Sequence, residues 1–418
     1  MSSPRSRIAV RPATSWLERG LDLAALAFLP VLALASHGLA GLEAIAGVLA
    51  LGLVVQNRAA GQWDLVAPAA ILVLLVLWGG VSAAWSPNAA RSLLIAARLA
   101  GLFAAGLALV AAVPAIAEPR RLVRWFFAGI ALGVAILAVQ RMTGGLLTRP
   151  FFVRGFVAPQ LNQASDTLAV LALPAGASLW HWRRPGAAAL LVAAAAAAIY
   201  GLVGTAAQVS FVAGLVAAPL FHRWRAVLAQ AAALVSVLVI VAAPLSFARL
   251  AQDGPLLHLT DHFKSSVPHR LLIWSFVGDR IAEKPLLGWG LDAARAIPGG
   301  TEWIRPGQPW LPLHPHNAPL QVWLELGVPG IVLFSLLVAR LWRGLGAAPW
   351  PPLFAAAGAG ALAAAFTETL ATYGVWEEWW VGTLWLALFL ILVMARTVPT
   401  VSATGSSGRD RRPRRPDR

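Results

Sequence analysis

About twelve apolar runs divide this sequence, and most of them are about 17–25 residues long, which is the length a helix needs to cross a bilayer. The chain has 418 residues, of which 59% are hydrophobic and only 12% are charged. These proportions exclude an ordinary soluble domain. The intervals between the runs lack the alternating pattern of a transmembrane barrel. We therefore predict an all-α, polytopic membrane protein with spans at 21–37, 39–56, 68–85, 92–113, 124–141, 166–182, 187–203, 208–221, 226–246, 317–340, 353–373 and 380–396.

The orientation follows from arginine in the short loops, because Lys and Arg accumulate on the cytoplasmic side of a membrane. With a cytoplasmic N-terminus, the inner loops carry Arg58, Arg120, Arg121, Arg124, Arg183, Arg184, Arg223, Arg225, Arg340 and Arg343. An even number of spans then returns the C-terminus to the same side. Both termini are predicted to be cytoplasmic.

The longest polar interval lies between the ninth and tenth spans, and it divides the chain into four regions. They are an N-terminal bundle (1–246), an outer loop (247–316), the last three spans (317–396) and a basic, disordered tail (397–418). Within the loop, Ser265 and Pro268 are typical of a helix start. The apolar residues that follow, Leu271, Trp274, Val277 and Ile281, share one helical face. We predict an amphipathic helix that lies on the membrane surface or covers the bundle.

Arginine also occurs on the predicted outer side, where topology gives no reason for it. The net charge is +15, and the outer arginines are Arg91, Arg141, Arg149, Arg154, Arg249, Arg270, Arg280, Arg295 and Arg305. Long translocated loops can ignore the charge rule, which accounts for Arg295 and Arg305. The shorter loop around Arg154 favours an anionic ligand instead, since guanidinium matches phosphate oxygens.

The outer loop ends in a histidine pair, His314 and His316, just before the tenth span. Asn317 is a plausible N-cap of that span. A helix N-terminus attracts anions and disfavours a protonated imidazole. A neutral His316 could therefore accept a proton from a sugar hydroxyl beside a bound pyrophosphate, whereas His314 is expected to point elsewhere. The alternative is that His316 is an interfacial residue that only closes the loop.

Four motifs in order resemble the O-antigen ligase and polymerase superfamily. His316-Asn317 is followed after nine residues by Gly327-Val-Pro-Gly330, which is similar to the superfamily signature. Two further motifs are similar to superfamily elements that precede the histidine, namely Arg270-Leu-Leu-Ile-Trp274 and Lys284-Pro-Leu-Leu-Gly-Trp-Gly290. The fourth, Arg154-Gly-Phe-Val-Ala-Pro-Gln-Leu-Asn162, is similar to the element that precedes the sixth span.

The resemblance implies a GT-C-like glycosyltransferase of the bacterial inner membrane. Such ligases transfer a preassembled glycan from undecaprenyl pyrophosphate to a lipid A-core sugar at the periplasmic face, without metal or other cofactor and without nucleic acid. His316 would act on the acceptor hydroxyl, and Arg270 would hold the pyrophosphate. Direct attack at the anomeric carbon would invert the configuration of that carbon and would need one base.

Further residues follow from the same resemblance. The predicted substrate contacts are Arg154, Asn162, Gln208, Asn317, Trp274 and Lys264, and the structural glycines are Gly288, Gly290, Gly327 and Gly330. Gly327, Pro329 and Gly330 are expected to kink the tenth helix and to allow close packing. The superfamily often has a Ser-Arg pair where this chain reads Gly204-Thr-Ala-Ala-Gln208, so Arg154 is the preferred second cation.

Other readings stay open. His258 and His262 have the i,i+4 spacing of metal ligands, but no third ligand has telling spacing. Within the superfamily, a polymerase or a protein O-oligosaccharyltransferase would share the donor and differ in the acceptor. A transporter of an amphipathic anion also fits twelve spans.

The acidic and aromatic residues of the last spans have their own predictions. Glu325 and Glu368 are candidates for a relay or for hydrogen bonds between helices. Trp376, Trp379 and Trp380 are typical of an interfacial aromatic belt.

Overall fold

The computed structural model of the chain describes residues 15–57, 65–148, 161–250 and 266–400, and most of them are helical. The helices are α1 (Trp16–Ala35), α2 (Leu39–Asn57), α3 (Val66–Val81), α4 (Ala89–Ala112), α5 (Pro119–Thr143), α6 (Asn162–His181), α7 (Pro185–Gly201), α8 (Thr205–Leu250), α9 (Ser266–Glu283), α10 (Ala318–Ala347), α11 (Pro352–Thr369) and α12 (Glu378–Ala395). Short 3₁₀ turns cover Ser36–Gly38, Ser82–Trp85, Val113–Ala115 and Ala293–Ala296. Strands β1 (Trp303–Arg305) and β2 (Gln308–Pro309) form one small antiparallel hairpin.

Seven stretches of the described chain are long and apolar enough to cross a membrane. They are Trp16–Asn57, Val66–Trp85, Ala89–Ala115, Pro119–Thr143, Thr205–Ser246, Ala318–Ala347 and Glu378–Ala395. The first combines α1 and α2, and the fifth is interrupted at Trp224, whose backbone angles (φ −133°, ψ 43°) are not helical. That break falls between the predicted eighth and ninth spans. The all-α, polytopic class is confirmed, and the total of twelve spans stays a prediction.

Small residues allow the helices of the bundle to approach closely. A side-chain carbon at Gly214 of α8 would lie 2.9 Å from the carbonyl oxygen of Gly360 in α11. A carbon at Gly129 of α5 would lie 2.4 Å from the carbonyl oxygen of Leu26 in α1. Such backbone contacts are how helices associate where the surrounding lipid offers no hydrophobic gain.

Helix α9 is the predicted amphipathic helix, and it starts at Ser266, next to the predicted cap. Its apolar face is buried as expected, since Leu271, Val277 and Ile281 are each at most 6% exposed. Ile273 is buried as well, in a cluster that includes Leu320 of α10. The packing therefore joins α9 to the start of α10.

The aromatic-belt interpretation of the last loop is wrong. Trp376, Trp379 and Trp380 are only 5%, 4% and 2% exposed, so they lie inside the protein. Trp379 and Trp380 pack against the ring of Tyr373 with centroids 4.4 and 5.5 Å apart. The eleventh helix ends at Thr369, earlier than predicted, and the segment 370–377, here called the 370s loop, is folded into the site.

Candidate functional site

Helix α10 is broken at Gly327, as the glycine pattern predicted. Gly327 has φ 57° and ψ −153°, a conformation open in practice only to glycine. The break leaves the carbonyl groups at the end of the first half-helix without partners from their own helix. These groups are buried, so other parts of the chain must satisfy them.

The Pro-Leu-Leu-Gly-Trp-Gly segment supplies those partners. The N–H groups of Trp289 and Gly290 donate to the carbonyl oxygens of Leu324 and Glu325, each at 2.8 Å. Gly288 (φ 71°) must be glycine, because a side-chain carbon there would lie 2.4 Å from the backbone of Glu325. The loop thus replaces a missing turn of α10.

Close packing also explains the two remaining glycines. A side-chain carbon at Gly290 (φ 106°) would lie 2.5 Å from Ser86, and one at Gly330 would lie 2.4 Å from Leu326. The four motif glycines therefore allow the close backbone packing around the break in α10.

His316 stands at the N-terminal end of α10 in a left-handed conformation (φ 56°). Its Nδ1 lies 2.5 Å from the carbonyl oxygen of Thr372 in the 370s loop. A carbonyl can only accept, so Nδ1 carries the proton and Nε2 is the basic nitrogen of the neutral ring. No described residue forms a hydrogen bond with that Nε2.

The sequence analysis expected His314 to point away from His316, but the structure brings the two side chains together. Its Nδ1 accepts the backbone N–H of His316 at 3.2 Å, and the two rings meet edge to face with centroids 4.3 Å apart. Residues two apart in an extended segment lie on the same side of the chain, which the prediction did not take into account. His314 therefore supports the conformation of His316.

Both imidazoles are held neutral. Burial, together with the nearby charge of Arg270, lowers the pKa of His316 to about 4, although its bond to Thr372 opposes the shift. Burial and the neighbouring His316, Arg295 and Arg270 lower the pKa of His314 to about 3. At neutral pH His316 is therefore an unprotonated base.

Arg270 lies on α9, close to His316 and to a buried acidic group. Burial lowers the pKa of its guanidinium, and Tyr373, Asp166 and Glu368 oppose that shift by their charge. Among the described residues, Arg270 forms no ion pair and no hydrogen bond through its side chain. It is thus a partly buried cation whose donors are not used by any residue that the structure describes.

Two members of this acidic group, Asp166 and Tyr373, were missed in the sequence, whereas Glu368 was singled out there. The hydroxyl of Tyr373 donates to Asp166 of α6, which is 1% exposed, and Glu368 of α11 is fully buried. Asp166 begins an apolar span and Tyr373 is one of only two tyrosines in the chain, and these were the available signals.

Asn317 and Trp274 use their polar atoms within the protein. Asn317 caps α10 by accepting the N–H of Leu320 at 3.0 Å, and its amide donates to the carbonyl oxygen of Leu370 at 3.1 Å. Trp274 donates its indole N–H to the carbonyl oxygen of Pro315 at 2.9 Å. Both contacts position the backbone on either side of His316.

The other predicted contacts divide into two groups. Asn162 packs against Gly204, one turn before Asp166 on α6, and its buried Oδ1 has no hydrogen-bond partner among the described residues. Gln208 donates to the carbonyl oxygens of Leu202 and Ile199 at 3.3 and 3.5 Å, at the end of α7. Arg154, Lys264, His258 and His262 lie outside the described residues.

Glu325 forms hydrogen bonds between separate segments, one of the two roles considered for it. Its carboxylate accepts the N–H of Asp292 and the indole N–H of Trp376, each at 2.6 Å. Gln321 donates to it at 3.0 Å and accepts the N–H of Val375 at 2.9 Å. One buried side chain thus joins α10 to the loop after α9 and to the 370s loop.

Comparison with known proteins finds one family model and several relatives that resemble part of this chain. Residues 167–335, which include Arg270 and His316, match the family model described as O-antigen ligase. The chain is 36% identical over 134 residues to a protein of Rickettsia conorii named "Putative polysaccharide ligase". Proteins with the same name from Rickettsia felis and Rickettsia bellii are 34% and 35% identical over 134 and 142 residues.

These similarities are local. The matched segments cover 31–33% of this chain and 32–34% of each of those three relatives. The family match is longer and spans the helices from α6 into α10. Over residues 167–335 this chain is therefore similar to the O-antigen ligase family, and the similarity covers less than half of its length.

Proposed function

We propose that this protein transfers a preassembled glycan from undecaprenyl pyrophosphate to a sugar of lipid A-core at the periplasmic face of the inner membrane. The observation that carries the proposal is the pairing of His316, whose Nε2 is unprotonated and unbonded to described residues, with a nearby Arg270 whose donors no described residue uses. One group accepts a proton and the other binds an anion.

His316 acts as the general base. The acceptor oxygen attacks the anomeric carbon as its proton moves to Nε2, and Thr372 stabilises the resulting imidazolium through the Nδ1–H bond. The anomeric C–O bond breaks, and undecaprenyl pyrophosphate leaves with the electron pair. Because no protein nucleophile takes part, the anomeric configuration inverts.

Arg270 holds the leaving pyrophosphate. A guanidinium can bond phosphate oxygens through two parallel N–H groups, and a partly buried site strengthens that attraction. The bound anion would also offset the positive charge that lowers the pKa of His316, so donor binding would make the base stronger. Arg154 remains the proposed second cation.

The role of His316 is tested by substitution in purified enzyme. A general base contributes roughly 10²–10⁴-fold, so His316→Ala should lose nearly all transfer while still binding undecaprenyl-linked donor. His222→Ala, which changes an exposed histidine of α8, is the matched control. A His316→Asn variant that transfers glycan well would remove the acid–base role.

The role of Arg270 is tested in the same assay. Arg270→Ala should abolish transfer, and Arg270→Lys should restore it poorly because a point charge cannot form the two parallel bonds. Chelator should leave transfer unchanged, because arginine rather than a cation holds the pyrophosphate in this scheme. Loss of activity in chelator and its recovery with zinc would indicate the metal alternative.

The acceptor is tested in a deletion strain by the lipopolysaccharide gel pattern. Loss of the ladder with accumulation of undecaprenyl-linked polymer would support the ligase. A single repeat on the core would indicate a polymerase, and normal lipopolysaccharide would indicate a protein acceptor or transport.

A further inference from the structure

A cavity of about 220 Å³ lies beside His314, and the mechanism above does not use it. Arg91 and Arg98 of α4, Asp292 and Arg295 of the loop after α9, and Glu377 and Glu378 at the start of α12 line it. Each of these elements is far from the others in the sequence. The cavity is therefore a product of the fold.

Its charged groups are already paired across the cavity wall. Arg91 bonds Asp292 at 2.5 Å, Arg295 bonds Glu377 at 3.0 Å, and Arg98 bonds Glu378 at 2.5 Å. These three cations and three carboxylates balance, so the lining presents donors and acceptors side by side with no excess of either sign.

This lining suits a neutral sugar better than a phosphate. Every sugar hydroxyl both donates and accepts, and can bridge a guanidinium and a carboxylate at once. A phosphate only accepts and would meet three carboxylates as well as three guanidinium groups. The indoles of Trp376 and Trp379 also line the cavity and offer apolar surface for a pyranose ring.

The cavity adjoins the reaction centre at the imidazole ring of His314. His314 lines it, and the ring of His314 lies 4.3 Å from that of His316, centroid to centroid. The 370s loop joins the two sides as well. Thr372 bonds His316, while Gly374, two residues later, lines the cavity.

We propose that this cavity is the acceptor subsite and that it binds the neutral terminal sugar of the glycolipid that receives the glycan. The inference rests on the proposed function for its role in transfer. The bound sugar presents one hydroxyl toward His316, whose Nε2 takes the proton as the oxygen bonds to the anomeric carbon. The donor pyrophosphate is held by Arg270, which does not line the cavity, and leaves with the electron pair of the broken bond.

The experiment measures binding in the inactive His316→Ala protein, so that its result does not depend on transfer. The probes are deacylated neutral core oligosaccharide and inorganic pyrophosphate, followed by tryptophan fluorescence and calorimetry. Arg98→Gln and Glu378→Gln alter the most exposed of the three pairs, which has side chains 49% and 36% exposed. Arg124→Gln, in an exposed arginine of α5, is the control.

We expect each cavity variant to weaken oligosaccharide binding by about tenfold, the effect of one lost charged hydrogen bond, and to leave pyrophosphate binding unchanged. Arg270→Gln should do the reverse. The subsite proposal would be wrong if both folded cavity variants bound the oligosaccharide with unchanged affinity. It would also be wrong if these variants weakened only the binding of pyrophosphate. If the His316→Ala protein still transferred glycan while the cavity variants bound the oligosaccharide more weakly, the catalytic proposal would be wrong and the subsite would be supported.

Discussion

The indole N–H of Trp274 donates to the carbonyl oxygen of Pro315 across 2.9 Å, so the helix that carries Arg270 is bonded to the residue before His316. Trp274→Phe keeps an aromatic ring and removes this bond. We expect kcat to fall about tenfold, because small errors in the placement of a base are costly. Trp303→Phe, at a position 67% exposed, is the control. Full kcat in folded Trp274→Phe would contradict the positioning role.

The pH profile should report the low pKa of His316. Burial and the charge of Arg270 lower this pKa to about 4, and only the unprotonated ring is a base. We therefore expect kcat/KM to fall as the pH drops through about 4 instead of near the ordinary value of about 6.5. Arg270→Gln removes the neighbouring charge, so the acid limb of its residual activity should move to higher pH. An unmoved limb would contradict the coupling.

His314 can be tested through the hydrogen bond that it accepts. His314→Ala removes the acceptor for the N–H of His316 and should lower kcat at least tenfold. His314→Asn places an oxygen near the former Nδ1 and should recover part of the loss. Equal activity of the two variants would mean that His314 contributes only its ring packing.

Removal of Glu325 should destabilise the protein. Glu325→Ala leaves buried donors on Asp292, Gln321 and Trp376 without an acceptor. Since each unsatisfied group costs about 1–3 kcal/mol, we expect a loss of several kcal/mol, seen as a lower thermal midpoint in detergent. Glu325→Gln keeps one acceptor oxygen and should lose less. A midpoint equal to that of the wild type in Glu325→Ala would contradict the bridging role.

Two glycines of α10 form a matched pair. Gly327→Ala forces a side chain into a glycine-only conformation, 2.4 Å from the carbonyl oxygen of Leu286, and should cost about 1–3 kcal/mol or more. Gly344→Ala meets nothing within 4 Å and should be neutral or slightly stabilising. Thermal unfolding compares them, and equal midpoints would contradict the account of the break.

The class, the helix before the site and the glycine break could be predicted, because each rests on a local pattern. Apolar length indicates a span, and glycine with proline indicates a kink. The partners of His316 could not be predicted, since Thr372 is 56 residues away and its backbone carbonyl has no sequence signal. The three tryptophans were misassigned for the same reason. From the sequence alone, an indole that donates to a buried carboxylate cannot be distinguished from an indole at the lipid interface.

The helix break at Gly327 also limits how the length of this chain can change. Three backbone bonds fix the two stretches against each other: Trp289 and Gly290 donate to Leu324 and Glu325, and Val328 donates to Leu286. Side chains there can be exchanged at modest cost, but an inserted or deleted residue would shift every later bond and separate Arg270 from His316. Tolerance to insertion should therefore drop sharply between residues 285 and 290, even though the segment is a loop.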